Sequence, residues 1–395
     1  MSLKQVVKRE IKRIYKEPLF WTIAFIMPLA MCLVICMIFS KGSPTDMPIA
    51  VLNDDNSTFS RMFVRDLEAL PSCTIKYNVT SLEEGRQLLT EGKVYAFVAI
   101  PRDFQRDIYR LKQPKLLFYY NNQRILIGGI ISKDVTMLVQ TMMVGLDASI
   151  RSKRGLPMEE AIKQANLIRV SEHVRSNPYF NYQYFLSIVA FGHILQIHLI
   201  LTMLWALGTE FKYGTTKEWL KVADGSIIKA FFGKLIPYFG LFIMLFAILF
   251  GTYFIIMGIP YTGDWFMGIL STLMFIFTCC CLANIFISIN GNFRYGLSNA
   301  AFYVAMGFAF AGVTYPVMVM PWIAKAYSAT LPLSYWVQVM IDQSLRQIPI
   351  IYDFKHINAM LFLSALGLLS LIRLKKLAMD EKRWYQSWWK NLLIS

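Results

Sequence analysis

Long apolar stretches are the feature that most narrows what this chain can fold into. A helix needs roughly 17–25 largely apolar residues to cross the ~30 Å hydrocarbon core of a bilayer. Such stretches run from Trp21 to Phe39, Phe185 to Leu207, Leu235 to Met257, Trp265 to Ile289 and Leu297 to Val313, with a shorter one from Ile357 to Ile372. The last gains length if Arg373 and Lys375 extend their stems toward the headgroups. Of the 395 residues, 56% are hydrophobic and only 16% charged, against about 25% charged in soluble domains. This excludes a disordered chain and a purely soluble enzyme. The expected fold is an α-helical polytopic membrane protein of six spans.

Basic residues near the spans set the orientation. The flank 1–20 carries six, 208–234 five, 290–296 one and 373–395 six, whereas 258–264 has none and the longer 314–356 only three. Both termini are therefore expected in the cytoplasm, and the segment 40–184 outside, since long translocated domains largely escape the charge rule. The first apolar run is too long for the core of a cleavable signal, so it is expected to stay as an anchor, 21–39. Before it, Lys4, Lys8, Arg9, Lys12, Arg13 and Lys16 recur at roughly helical spacing. Residues 1–20 thus fit a topology signal alone or an amphipathic cytoplasmic helix lying on the membrane. The net charge of +15 follows from topology, and nucleic acid is not expected as a partner.

Residues 48–120 alternate β-rich and helical patterns, which reads as an α/β layer inserted between the first two spans. Strand-like runs at Ile49–Leu52, Thr74–Val79, Val94–Ile100 and Lys115–Tyr120 alternate with helical patterns at 57–70, 81–91 and 102–111. Ser81 with Glu84 fits a capping box, and Asp54 and Asp55 read as turn and cap residues rather than as a metal site. Long helical patterns over 125–152 and from 157 to about Val174 read as stalk helices. A five-span domain, 185–372, and a basic tail, 373–395, complete the plan. The six cysteines lie mostly in apolar runs and form no disulfide or metal pattern.

The chain contains no GxxxxGK[ST], HExxH, GxSxG or GxGxxG. No catalytic residue, cofactor site or metal site is therefore expected within it. Polar residues inside a span are candidate functional sites by default. His193, Gln196 and His198 are such residues; their spacing keeps all three off one helical face, and an interhelical hydrogen bond competes with proton relay or substrate contact. The first five spans lack Asp, Glu, Lys and Arg in their cores, which counts against an ion-coupled carrier.

Two segments carry a family resemblance. After the second span the chain reads Gly-Thr-Glu-Phe-Lys-Tyr-Gly-Thr-Thr-Lys-Glu-Trp-Leu over 208–220. This resembles the cytoplasmic E-x-x-x-G-T-x-E-x-L-type segment of ABC transporter permeases of the type-2 class, through Glu210, Gly214, Thr215, Glu218 and Leu220, the last two standing one position later than in that pattern. A proline frequent a few residues later is replaced here by Asp224-Gly225. Physically, Gly214-Thr215 can start a short helix presenting Lys217, Glu218 and Trp219 to a partner, with Trp219 as its anchor; an interfacial loop with its Trp in the headgroups is the alternative. The second segment holds Tyr315-Pro316, Met320-Pro321-Trp322 and Leu331-Pro332-Leu333-Ser334-Tyr335. It is similar to re-entrant elements of the same family over 314–340, although Leu331 stands where the family often has Asn. Broken backbone at membrane depth is tolerated only when buried in protein or lining a cavity; an ordinary outer loop with interfacial Trp322 and Trp336 is the alternative.

The resemblance implies a permease subunit of an ATP-driven exporter, with a cytoplasmic coupling segment at 208–234 and a pathway for a hydrophobic or amphiphilic substrate. It further implies a cytoplasmic ABC ATPase that binds ATP and Mg, a second permease copy or paralogue, and residence in the plasma membrane, the inner one in a Gram-negative cell. A periplasmic adaptor and outer-membrane channel would be envelope partners of the external domain. A membrane-anchored receptor or scaffold, and a secondary transporter, are the rival readings.

Overall fold

A computed structural model describes residues 3–40, 42–110, 112–123, 125–165, 177 and 181–380. The chain divides into two compact units, Ser43–Val174 and the two flanking portions together. The flanking unit begins with α1 (Leu3–Lys16) and α2 (Pro18–Trp21), then a π-helical turn over Thr22–Ile26 that runs into α3 (Met27–Ile38).

The inserted unit follows the alternation expected from its sequence: β1 (Met47–Asn53), α4 (Thr58–Glu68), β2 (Cys73–Asn78), α5 (Leu82–Thr90), β3 (Ala96–Ile100), α6 (Phe104–Tyr109) and β4 (Leu117–Tyr120), then α7 (Ile125–Lys153) and α8 (Met158–Ala165). The strand order is β2-β1-β3-β4, with β1 parallel to β2 and β3, and β4 antiparallel to β3. A parallel sheet must be covered on both faces. Here Ile49, Val51, Val98 and Ile100 join Phe63, Leu67, Ile131 and Val135 in one core. The alternate residues Ala50, Leu52, Phe97 and Ala99 form the other, beneath α5. Ser57 and Ser81 cap α4 and α5 by accepting from Ser60 N and Glu84 N. Glu84 returns a bond to Thr80 N at 2.9 Å, one residue earlier than a capping box would have it. Asp55 accepts from Gln105 N at 3.3 Å and so acts as a loop fastener. The part of the expected second stalk helix beyond residue 165 lies outside the described residues.

The flanking unit resumes with α9 (Tyr182–Lys212), α10 (Thr216–Val222), α11 (Ile227–Phe250), continued by a π turn to Ile256, and α12 (Trp265–Asn290). Then come α13 (Phe293–Ala305), α14 (Gly307–Phe310), α15 (Trp322–Thr330), α16 (Pro332–Ile341) and α17 (Phe354–Met379). Among the described residues, five helices are long and apolar enough to cross a membrane: Leu126–Lys153, Tyr182–Lys212, Ile227–Ile256, Trp265–Ile289 and Ile350–Met379. Thr22–Ile38 is a shorter apolar helix. Two expectations change. The stretch Leu297–Val313 is not one helix, because α13 stops at Ala305 and the chain breaks again after Phe310. The α7 stretch meets the same length and hydropathy criterion as the spans, yet its Ile131 and Val135 lie in the sheet core. α12 and α17 are joined by a polar seam: Asn284 Nδ2 donates to Gly367 O at 3.0 Å, and the Thr278 and Ser364 hydroxyls meet at 2.9 Å. The tail 381–395 lies outside the described residues.

Candidate functional site

The site grows from one face of α1. Val6, Glu10 and Ile14 follow each other at four-residue intervals and are all buried, so a carboxylate stands in the middle of an apolar stripe. α1 lies so close to α11 that a Cβ at Gly233 would fall 2.5 Å from the Val6 side chain; only glycine allows that approach. An ionised carboxylate in such a place is tolerated only when paired and hydrogen-bonded.

Its partners come from two other helices. Lys234, fully buried near the start of α11, places Nζ 2.7 Å from Glu10 Oε2 and 2.7 Å from Glu210 Oε1. Tyr238, one turn on, donates to Glu10 Oε1 at 2.6 Å. Glu210, in the last turn of α9, receives both Arg9 nitrogens at 2.9 Å, one on each oxygen. Arg13 adds a contact to Glu210 at 3.3 Å and donates to Thr209 Oγ1. The Thr215 hydroxyl donates to Glu210 Oε2. Arg13 covers the Trp205 ring at 4.8 Å, and Lys234 faces the Trp219 ring at 5.4 Å. Three cations and two carboxylates thus tie α1, the end of α9 and the start of α11 into one cluster. Removing one partner of such a set leaves an uncompensated buried charge, at a cost of about 3–5 kcal/mol.

This cluster positions α10, in the segment where the sequence leads us to expect coupling. Gly214 adopts φ 71°, the left-handed value that ends a helix at low steric cost, and turns the chain from α9 into α10. Thr216 Oγ1 donates to Ala378 O at 3.1 Å, fastening α10 to the end of α17. Asp224 and Gly225, at φ 55° and 70°, make the return turn where a proline was expected. Of the residues singled out from the sequence, Lys217 and Glu218 lie on the exposed face of α10 together with Lys221. Trp219 does not: it is fully buried, and its Nε1 donates to Ala230 O at 3.1 Å. Both readings of Trp219, as an exposed anchor and as a headgroup residue, are thereby corrected. Leu220 is likewise buried, and Glu210 and Thr215 serve the charge cluster. Arg9 and Lys234 were counted only among the basic residues beside the spans, and Glu10 was assigned no role. The signals that would have found them are Glu10 in an apolar stripe and Lys234 inside the apolar run from Phe231 to Tyr238.

The outer elements form a second group. A cavity of about 810 Å³ is lined by Pro316, Tyr335, Gln338, Asp342, Arg346 and His356, among others. Pro316 and Tyr335 therefore meet in one space, whereas Tyr315, Pro321 and Trp322 are exposed outside its lining. Pro332 starts α16 as its first residue, the position where a missing N–H costs least. Leu331 caps nothing with its side chain. Instead Gln196 Oε1, from α9, accepts from Leu333 N at 3.0 Å, so a side chain within the expected second span does the work of the missing Asn. Of the alternatives weighed for Gln196, the interhelical hydrogen bond is the one present. His193 and His198 do not join it: each has a buried Nδ1 without a protein partner, and His193 lies edge-on to Phe308 at 6.0 Å. Trp336, interfacial only in the alternative reading of an ordinary outer loop, is buried, stacked on Phe275 at 5.1 Å and bonded through Nε1 to Thr272 Oγ1.

Comparison with known proteins points the same way. The profile of the ABC-2 family transporter proteins matches residues 18–373. The linearmycin resistance permease protein LnrN of Bacillus subtilis (strain 168) is 26% identical over 109 residues, which is 28% of this chain and 28% of that protein. The alignment thus spans little more than a quarter of the relative's length.

Proposed function

The chain belongs to the ABC-2 family of transporters, and from that premise we propose that it forms the translocation pathway of an exporter whose ATP hydrolysis occurs on separate cytoplasmic subunits. Membership makes it the membrane component of an ABC transporter and a multi-pass protein of the plasma membrane. The proposal adds direction, partners and coupling. Two permeases, identical or paralogous, face each other, and the ATPase docks on the exposed face of α10. Both termini are cytoplasmic, and the Ser43–Val174 unit is external.

The observation that carries this reading is the buried charge cluster. It ties α1 to the end of α9 and the start of α11, and α10 joins it through Thr215, which donates to Glu210, and Trp219, which donates to Ala230 O, while Lys217, Glu218 and Lys221 stay exposed. A push on α10 from below is then transmitted to two long helices at once rather than absorbed by a loop. Packed elements of this kind shift between discrete arrangements instead of deforming smoothly. A name such as linearmycin resistance permease, carried by the relative, supports a small organic cargo that must leave the cell.

The test is charge reversal at the exposed face. In reconstituted permease and ATPase, Lys217→Glu with Glu218→Lys should lower ATPase stimulation at least about tenfold, a loss of about 1.4 kcal/mol of coupling, with membrane insertion unchanged. Unaltered stimulation would remove α10 from the docking site.

A further inference from the structure

The π-helical turn that follows α16 and the head of α17 bring together three side chains that neither the family nor the coupling argument uses. Asp342 opens the turn Asp342–Arg346, Asp353 is the residue before α17, and His356 lies in its first turn. Each offers one donor atom, and the three donors lie within 4.8 Å of one another. Asp353 is completely buried. Its Oδ2 accepts from Gln343 Nε2 at 2.6 Å, and its Oδ1 is a buried oxygen without a hydrogen-bond partner. A buried carboxylate oxygen left bare costs the full desolvation of that atom, so its presence calls for an occupant.

We propose that Asp342, Asp353 and His356 bind a divalent transition-metal cation, with Zn²⁺ the best match. Two carboxylates and one imidazole are a mixed oxygen and nitrogen set, which suits Zn²⁺ better than Ca²⁺ or Mg²⁺, both of which prefer oxygen alone. Three protein ligands leave a fourth position open, and Asp342 and His356 also line the 810 Å³ cavity, so that position faces a space that water or cargo can enter. The surroundings orient the ligands. Gln343 holds one oxygen of Asp353 and also bonds Ile348 O at 3.0 Å. Arg346 holds Asp342 Oδ1 at 2.9 Å, leaving the second oxygen of that carboxylate for the metal. Orienting bonds of this type are a regular part of metal sites. The cation would tie the turn after α16 to the head of α17, fixing one wall of the cavity.

The proposal does not depend on the exporter reading, and its test needs no ATPase. The full chain, purified in detergent without a polyhistidine tag and stripped with a chelator, is titrated with Zn²⁺ by calorimetry and then loaded with Co²⁺ for absorption spectroscopy. One equivalent should bind, and the Co²⁺ spectrum should show d–d bands without thiolate charge transfer, which separates this site from the six cysteines. Asp353→Asn and His356→Gln should each weaken binding at least about tenfold, and Gln343→Ala, which removes no ligand but frees Asp353 and also loses the bonds to Ile348 O and from Asp264 N, by about 10–100-fold. Unfolding temperature is followed in parallel: Zn²⁺ should raise it in the native chain and not in Asp353→Asn, which also shows whether that variant is folded. Absence of binding, equal binding in His356→Gln, or a thiolate band in the Co²⁺ spectrum overturns the site.

Discussion

At Glu210 a carboxylate sits in the last turn of a 31-residue helix, where the helix dipole opposes it. Arg9, Arg13 and Lys234 reverse that balance. The cost of disturbing the cluster follows from burial rather than from the number of ion pairs. Lys234→Met leaves Glu10 and Glu210 without their shared cation and should cost about 3–5 kcal/mol. Lys221→Ala, on the exposed face of α10, should stay within about 0.5 kcal/mol. Thermal unfolding in detergent, followed by intrinsic fluorescence, separates the two. Cys73 supplies a second test at this scale. Burial pushes its thiol up to about 11, with the Sγ directed at Leu67 O at 3.6 Å. A thiol that stays protonated at neutral pH is a poor nucleophile. Maleimide at pH 7.5 should leave Cys73 unmodified in the native chain and label it in urea, as read by peptide mass spectrometry. Raising the pH toward 11 before unfolding should increase the rate.

Among the elements, what the sequence made legible was periodicity. The strands and helices of 48–120 could be placed because turn residues and alternating runs mark them locally, and Ser57 and Ser81 act as caps. The break after Ala305 was not legible, because Leu297–Val313 reads as apolar apart from Ser298 and Asn299 near its start, and glycines such as Gly307 and Gly312 are ordinary within membrane helices. Nor could the docking of α1 be read. Amphipathicity shows that a helix has a face, but not whether lipid or α11 covers it. Two predictions belong here. Gly85→Ala places a Cβ 2.4 Å from the Phe97 ring, which should lift α5 from the sheet and cost about 1–3 kcal/mol, measured as a lower urea midpoint of the Ser43–Val174 unit by proteolysis. Gln196→Leu removes the acceptor for Leu333 N and leaves that buried donor bare, at about 1–3 kcal/mol; Gln196→Glu, assayed at a pH low enough to keep the buried carboxyl protonated, retains an acceptor and should cost less. Equal losses in the two variants would show that the bond to Leu333 is not what Gln196 contributes.

For the whole molecule, the coupling segment and outer elements were found from motifs, but the motifs named residues without saying which were buried. Trp219 was misplaced for that reason: a Trp among charged residues looks exposed until the neighbours that cover it are known. The partner is the decisive prediction at this scale. Mild-detergent purification from native membranes should bring down an ATPase carrying GxxxxGK[ST], with vanadate-sensitive hydrolysis. A chain that elutes alone even after crosslinking would favour the receptor or scaffold reading. The charge cluster also has a temporal side. Glu10 and Lys234 are 224 residues apart, and at ribosomal speeds of ~5–20 residues per second the second is made about 11–45 s after the first. During that interval α1 has nothing to pair with except water, headgroups and chaperones. Its apolar stripe, Val6 and Ile14, must be tolerable on a membrane surface while Glu10 between them is still hydrated. The same helix therefore satisfies two environments in succession, and its cluster can close only once Lys234, near the start of α11, has been made.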